Sequence, residues 1–114
     1  MVVSDYVARK IIATLPIGAG SDGAGFDLET GHAFSSNGQD GTLTIVGEGA
    51  QGEFAVLQTV ETQRGARTMT VDPDSHVIYL PAARYGAAPA ATAENPRPRA
   101  TMEPNSFVLL VISK

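Results

Sequence analysis

The residues best suited to chemistry lie in QRGART, Gln63 to Thr68. Two guanidiniums set around a glycine, those of Arg64 and Arg67, can each grip a carboxylate or phosphate with paired N–H donors, and Thr68 adds a hydroxyl. This reading makes the five residues Asp22, Asp40, Arg64, Arg67 and Thr68 a candidate site for a small anionic ligand, with Asp22 as the charge counterpart of the arginines. The same residues have a purely structural use: Arg67 pairs with Asp22, and Arg64 points into solvent.

Other chemistries find less support. The two histidines, His32 and His76, occur without cysteine and outside any H-x-x-x-H or H-E-x-x-H spacing, so neither zinc nor haem is expected and both read as surface turn residues. DLE at Asp27–Glu29 and DPD at Asp72–Asp74 lack the D-x-[DN]-x-[DN]-G calcium loop, and their carboxylates are better suited to accepting nearby backbone N–H groups in turns. Ser4, Ser35 and Ser36 have no G-x-S-x-G context. GAGSDGAG, Gly18 to Gly25, leads into a strand rather than a helix, so it lacks the helix-terminus anion site. Its glycines are expected to permit close packing. No catalytic residue, metal or cofactor follows from these patterns.

A formal net charge of −4 leaves little for a phosphate backbone to bind, so nucleic acid is only weakly supported as a partner. No apolar run approaches the roughly 20 residues of a membrane span. The opening MVVSDYVARK has an early Asp5 and no long apolar core, so no signal peptide is expected, and the chain as it stands reads as cytoplasmic. With 43% hydrophobic and 18% charged residues over 114 positions, one modest core is within reach.

The elements that must position the candidate residues show themselves as a repeat. FDLETGHAF, Phe26 to Phe34, recurs as VDPDSHVIY, Val71 to Tyr79, at an offset of 45 positions. The same offset brings Ile12 onto Leu57, Thr14 onto Thr59, Gly20 onto Gly65, and His76 onto Gly31. Further on, TLTIV is matched with SFVLLV, placing Thr42 on Ser106 and raising the offset to 64 through an Ala- and Pro-rich insertion within 82–105. That insertion has little to bury and reads as an extended surface loop. Short β-branched and aromatic runs between Gly, Asn and Asp turns predict an all-β chain of antiparallel strands.

A period near 45 with about four strands per unit is the pattern of a β-propeller blade. Strands are expected at 24–27, 32–36, 42–46 and 54–60 for a first blade (24–60), and at 68–72, 76–81 and 106–112 for a second (68–112). An orphan outer strand at 8–15 precedes them. GAGFDLETGHAFSSNGQDGTLTIV and QTVETQRGARTMTVDPDSHVIYLPAA resemble the last blades of the bacterial YVTN-type, YncE-like seven-bladed propellers, over about Ala8 to Ile112. The resemblance implies a scaffold or binding protein of the bacterial envelope, a group with which single-stranded DNA binding is also associated. Related propellers include lactone hydrolases and amine dehydrogenase subunits, which keeps an enzymatic alternative open beside that of a truncated piece with no selected activity.

This chain carries only about two blades, whose outer faces would stay uncovered, since repeat architectures generally need three or more units. The expected remedy is self-association into a multi-chain ring, in which an orphan outer strand of one copy pairs with the last strand of another. In such a layout Asp22, Asp40, Arg64 and Arg67 share one face with the 82–105 insertion, and Glu29, Asp74 and both histidines lie at the other.

Overall fold

Short runs of Val, Ile, Thr and Phe, closed by Gly- and Asp-containing turns, fold among the described residues into strands with no helix. The computed structural model describes residues 1–113. Its strands are β1 (Val2–Asp5), β2 (Lys10–Thr14), β3 (Ser21–Asp27), β4 (His32–Asn37), β5 (Thr42–Glu48), β6 (Phe54–Glu61), β7 (Thr70–Val71), β8 (Ile78–Ala82) and β9 (Val108–Ile112). They form a two-stranded sheet β1-β2, a four-stranded sheet β3-β4-β5-β6 and a three-stranded sheet β7-β8-β9. All pairings are antiparallel.

The strand expected to stand alone at 8–15 has a partner. Asp5 Oδ1 accepts the N–H groups of Val7 (2.9 Å) and Ala8 (2.8 Å), Arg9 takes a left-handed φ of 54°, and the turn so formed folds β1 back onto β2. Their register runs Val2 opposite Thr14 and Val3 opposite Ala13, then skips Ile12 to place Ser4 opposite Ile11. The β5-β6 pair repeats this: Thr44 lies opposite Thr59, Ile45 opposite Gln58, and Leu57 is skipped to set Val46 opposite Val56. The two hairpins therefore share one bulge at residues 45 positions apart.

The repeat extends to the other pairings with one correction. Phe26 opposite Ala33 recurs as Val71 opposite Ile78. Phe34 opposite Ile45, however, recurs as Tyr79 opposite Val111, so the offset for this strand is 66 rather than 64, and β9 begins at Val108. Ser106, which the sequence match places in the strand, does other work. Its hydroxyl accepts the Arg84 N–H (3.1 Å) and lies 2.7 Å from the Glu103 carbonyl. These bonds close the base of the 83–107 excursion, whose two legs are further joined by the Tyr85–Met102 bridge and the Arg84–Glu103 ion pair at 2.8 Å.

The main core lies between the four- and three-stranded sheets. Phe34 and Leu43 of the first meet Ile78, Leu80 and Ala82 of the second, with Ala66 from the connecting loop, while Ile45, Val60, Leu110 and Ile112 ring the cluster. Glycine lets β3 and β7 approach. A methyl group built on Gly23 would lie 2.6 Å from the Arg67 carbonyl oxygen, and one on Gly25 would lie 2.7 Å from Val71 Cγ2. The opposite face of the four-stranded sheet holds a buried polar chain. Asn37 Nδ2 donates to Thr44 Oγ1 (2.8 Å) and Thr42 Oγ1 (3.1 Å), and Ser35 Oγ donates to Asn37 Oδ1 (3.0 Å).

The molecule is long and thin, 52 × 32 × 19 Å, with a radius of gyration of 16.9 Å against about 13 Å for a compact domain of this length. Its surface is 7873 Å², roughly 1,900 Å² more than a compact monomer of 11.9 kDa exposes. Large apolar side chains contribute to that surface. Leu109 and Val111 are exposed on the outer face of the three-stranded sheet with Phe107 just before it, and Val2, Ile11 and Ile12 are exposed on the β1-β2 hairpin.

Candidate functional site

Polar side chains gather at the two opposite ends of the sheets. At one end, the loop from β6 to β7 carries the QRGART run across the turn joining β4 to β5. Gly65 adopts a φ of 89°, which a side chain would strain, and its N–H donates to the Gly38 carbonyl (2.8 Å). The flanking arginines consequently diverge. Arg64 Nε donates to the Gln39 carbonyl at 2.9 Å, while the aliphatic stem of Arg67 lies over Gly38 and its Nε stands 4.0 Å from Asp22 Oδ2. Asp40 is also engaged, accepting the Ala19 N–H at 2.7 Å. The Arg67 carbonyl in turn accepts a hydrogen bond from Ser36 Oγ, fastening this loop to the four-stranded sheet.

Of the five sequence-derived candidates, Arg67 and Thr68 line a common cleft, Asp22 stands beside Arg67, and neither Arg64 nor Asp40 reaches that cleft. The cleft has a volume of about 790 Å³ and is completed by the 83–107 excursion, which brings Arg99, Tyr85 and Met102 opposite Arg67. Phe107 and Pro81 supply an apolar wall. Arg99 forms no salt bridge among the described residues. Two guanidiniums, a hydroxyl and an aromatic ring around one opening can receive a small anion with a flat apolar body. The 82–105 insertion is expected on this face, but nothing periodic in it says that Arg99 and Tyr85 are the residues that fold back beside Arg67.

At the other end, the β3-β4 and β7-β8 turns form matching corners. Asp27 accepts the Glu29 N–H (3.1 Å) and the Thr30 hydroxyl (2.8 Å); Asp72 accepts the Asp74 N–H (3.0 Å) and the Ser75 hydroxyl (2.6 Å). The corners touch through His76, whose Nδ1 lies 2.8 Å from Asp27 Oδ2 and whose Nε2 lies 3.5 Å from Glu29 Oε2. Burial raises the Asp27 pKa, but hydrogen bonds from Thr30, the backbone of Glu29 and Thr30, and His76 outweigh it and hold the carboxyl below 3.8. An ionised carboxylate only accepts, so the proton of this pair sits on Nδ1. Asp72 is likewise held low, first by Ser75 and then by the Asp74 N–H.

Beside this corner opens a cavity of about 330 Å³, walled by Phe34, Ile45, Leu57, Val60 and Ile112 with His76 at its rim. His76 is therefore more than a turn residue. The signal was its alignment with Gly31: both take left-handed backbone, φ 59° for His76 and 69° for Gly31, and a histidine there needs a partner to hold it. Among the described residues no three His, Asp or Glu side chains converge as a metal site. Comparison with known proteins returns no matching family model, no matching curated protein and no matching solved structure.

Proposed function

We propose that the chain is a non-enzymatic binding module made of two propeller-type blades, which completes itself by self-association and receives a small anion in the cleft between the QRGART loop and the 83–107 excursion. The four- and three-stranded sheets are the blades, and the β1-β2 hairpin is the outer half of another. The observation that carries the binding role is the convergence of Arg67, Thr68 and Arg99 with Tyr85 around one opening, in a chain whose net charge is −4. Cationic groups so placed in an acidic protein select anions by charge and orient them by geometry. Loops carrying polar groups on a rigid sheet scaffold are a normal location for binding.

The test is calorimetric titration of the purified chain with inorganic phosphate and, separately, with benzoate. Saturable binding of at least one is expected, weakened about tenfold or more by Arg67→Ala or by Arg99→Ala, since each removes a charge-assisted hydrogen bond. Stronger binding of benzoate would assign Tyr85 and Phe107 to the ligand body. Arg64→Ala is expected to leave affinity unchanged. Equal binding by the wild type and the Arg67→Ala, Arg99→Ala double variant would exclude the cleft as the site.

A further inference from the structure

We infer that β9 of one copy pairs with β2 of another, taking the place on β2 that β1 holds within the single chain. The inference rests on the blade reading above and names the contact through which that assembly forms.

The registers single out this edge. β1 stands on β2 as β5 stands on β6, with the same skipped residue, Ile12 in one case and Leu57 in the other. Meanwhile β9 stands on β8 as β5 stands on β4, residue for residue over five pairs. But β5 is flanked on both sides, whereas among the described residues β9 ends its sheet with an unpaired edge. Carrying the β5-β6 register over places Leu110 opposite Thr14, Val111 opposite Ala13 and Ile112 opposite Ile11 of the second copy. Those three residues of β2 now face Val2, Val3 and Ser4. The exchange thus replaces Val-Val-Ser-Asp by Leu-Val-Ile-Ser on the same edge, a more apolar partner for β2.

Two further features fit the same occupant. The cavity beside β9, walled by Leu57, Val60 and Ile112, is where a strand added to that edge would lay its side chains, and Leu57 remains 43% exposed without one. β9 ends at the acidic corner that holds Asp27, Glu29, Asp72 and Asp74, since Ile112 and Ser113 share the cavity with His76. An antiparallel β2 begins there and brings Arg9 and Lys10 to those carboxylates.

The chain has no cysteine, so disulfide trapping reports this contact without background. Ala13→Cys protein is mixed with Val111→Cys protein under mild oxidation, and as a control with Leu110→Cys protein, whose thiol points to the other face of the strand. Solution mass is followed in parallel. The expected result is a multi-chain mass with mixed disulfide dimers from the first mixture and several-fold fewer from the control. Val3→Pro, which weakens β1 as a competitor, is expected to move assembly to about tenfold lower concentration. A monomeric mass for the unsubstituted chain overturns both the blade assembly and the exchange. A multi-chain mass with no preference for the Ala13–Val111 pair, or one that Val3→Pro weakens, leaves the blade assembly standing and overturns the exchange.

Discussion

His76 Nδ1 lies 2.8 Å from Asp27 Oδ2, joining the first corner of one sheet to that of the next across 49 positions of sequence. The carboxylate is buried and also holds its own turn through Glu29 and Thr30, so a single residue serves both the local corner and the contact between sheets. Replacing His76 with Ala is expected to lower the melting temperature by on the order of 5 °C. In a double-mutant cycle with Asp27→Asn the losses should fall short of additive, because each substitution breaks the same bond. Strict additivity in calorimetry would show that the pair is not coupled.

The acid limb of stability follows from Asp27 and Asp72. Both carboxyls are held below 3.8 in the folded chain, by hydrogen bonds that for Asp27 overcome the effect of burial. Groups of lowered pKa stabilise the fold fully above their unfolded value and cease to do so as pH falls through the folded value. Denaturant midpoints should therefore be flat with respect to these groups near neutrality and fall as pH drops through and below 3.8. The Asp27→Asn, Asp72→Asn double variant should show a visibly shallower decline over the same window.

Gly23→Ala tests the close approach of β3 to β7. The added methyl would stand 2.6 Å from a backbone carbonyl oxygen and 2.7 Å from Ser36 Oγ, so the sheets must part. A loss of about 1–3 kcal/mol is expected in chemical denaturation. Gly31→Ala, where no atom lies within 4 Å of the new methyl, should cost only the strain of its positive φ.

Asn37→Ala would leave Ser35, Thr42 and Thr44 without their shared partner in a buried strand. Thr44, buried and left without that bond, makes this costly, about 1–3 kcal/mol, while Ser35 keeps Ser21 Oγ at 2.8 Å. Hydrogen exchange should show the β4 and β5 amides losing protection first.

Legibility in the sequence followed the range of the interactions. The runs 32–36, 42–46 and 54–60 lie within the strands that form, because β-branched and aromatic stretches closed by Gly, Asn and Asp turns are written locally in residue type. Asp27 and Asp72 read as turn formers for the same reason, their bonds reaching only two or three residues onward. The last strand begins two residues beyond Ser106, despite the likeness in type of Ser106-Phe107 to Thr42-Leu43, since Ser106 closes the 83–107 excursion instead of pairing with β8. Arg64 and Arg67 are near neighbours in sequence without sharing a target, because the left-handed turn at Gly65 sends them apart. Arg99 depends on contact between distant segments and carries no local signature, and the His76–Asp27 bond is marked only indirectly, by the match of His76 to Gly31.

The central claim, that this chain is a self-completing pair of blades, is tested most directly by its solution mass from light scattering coupled to size exclusion. Three or four copies of 11.9 kDa, about 36 or 48 kDa, would supply the six or eight blades of a closed ring and are the result expected. A well-folded species of 11.9 kDa, with its apolar ends left in water, would contradict the account.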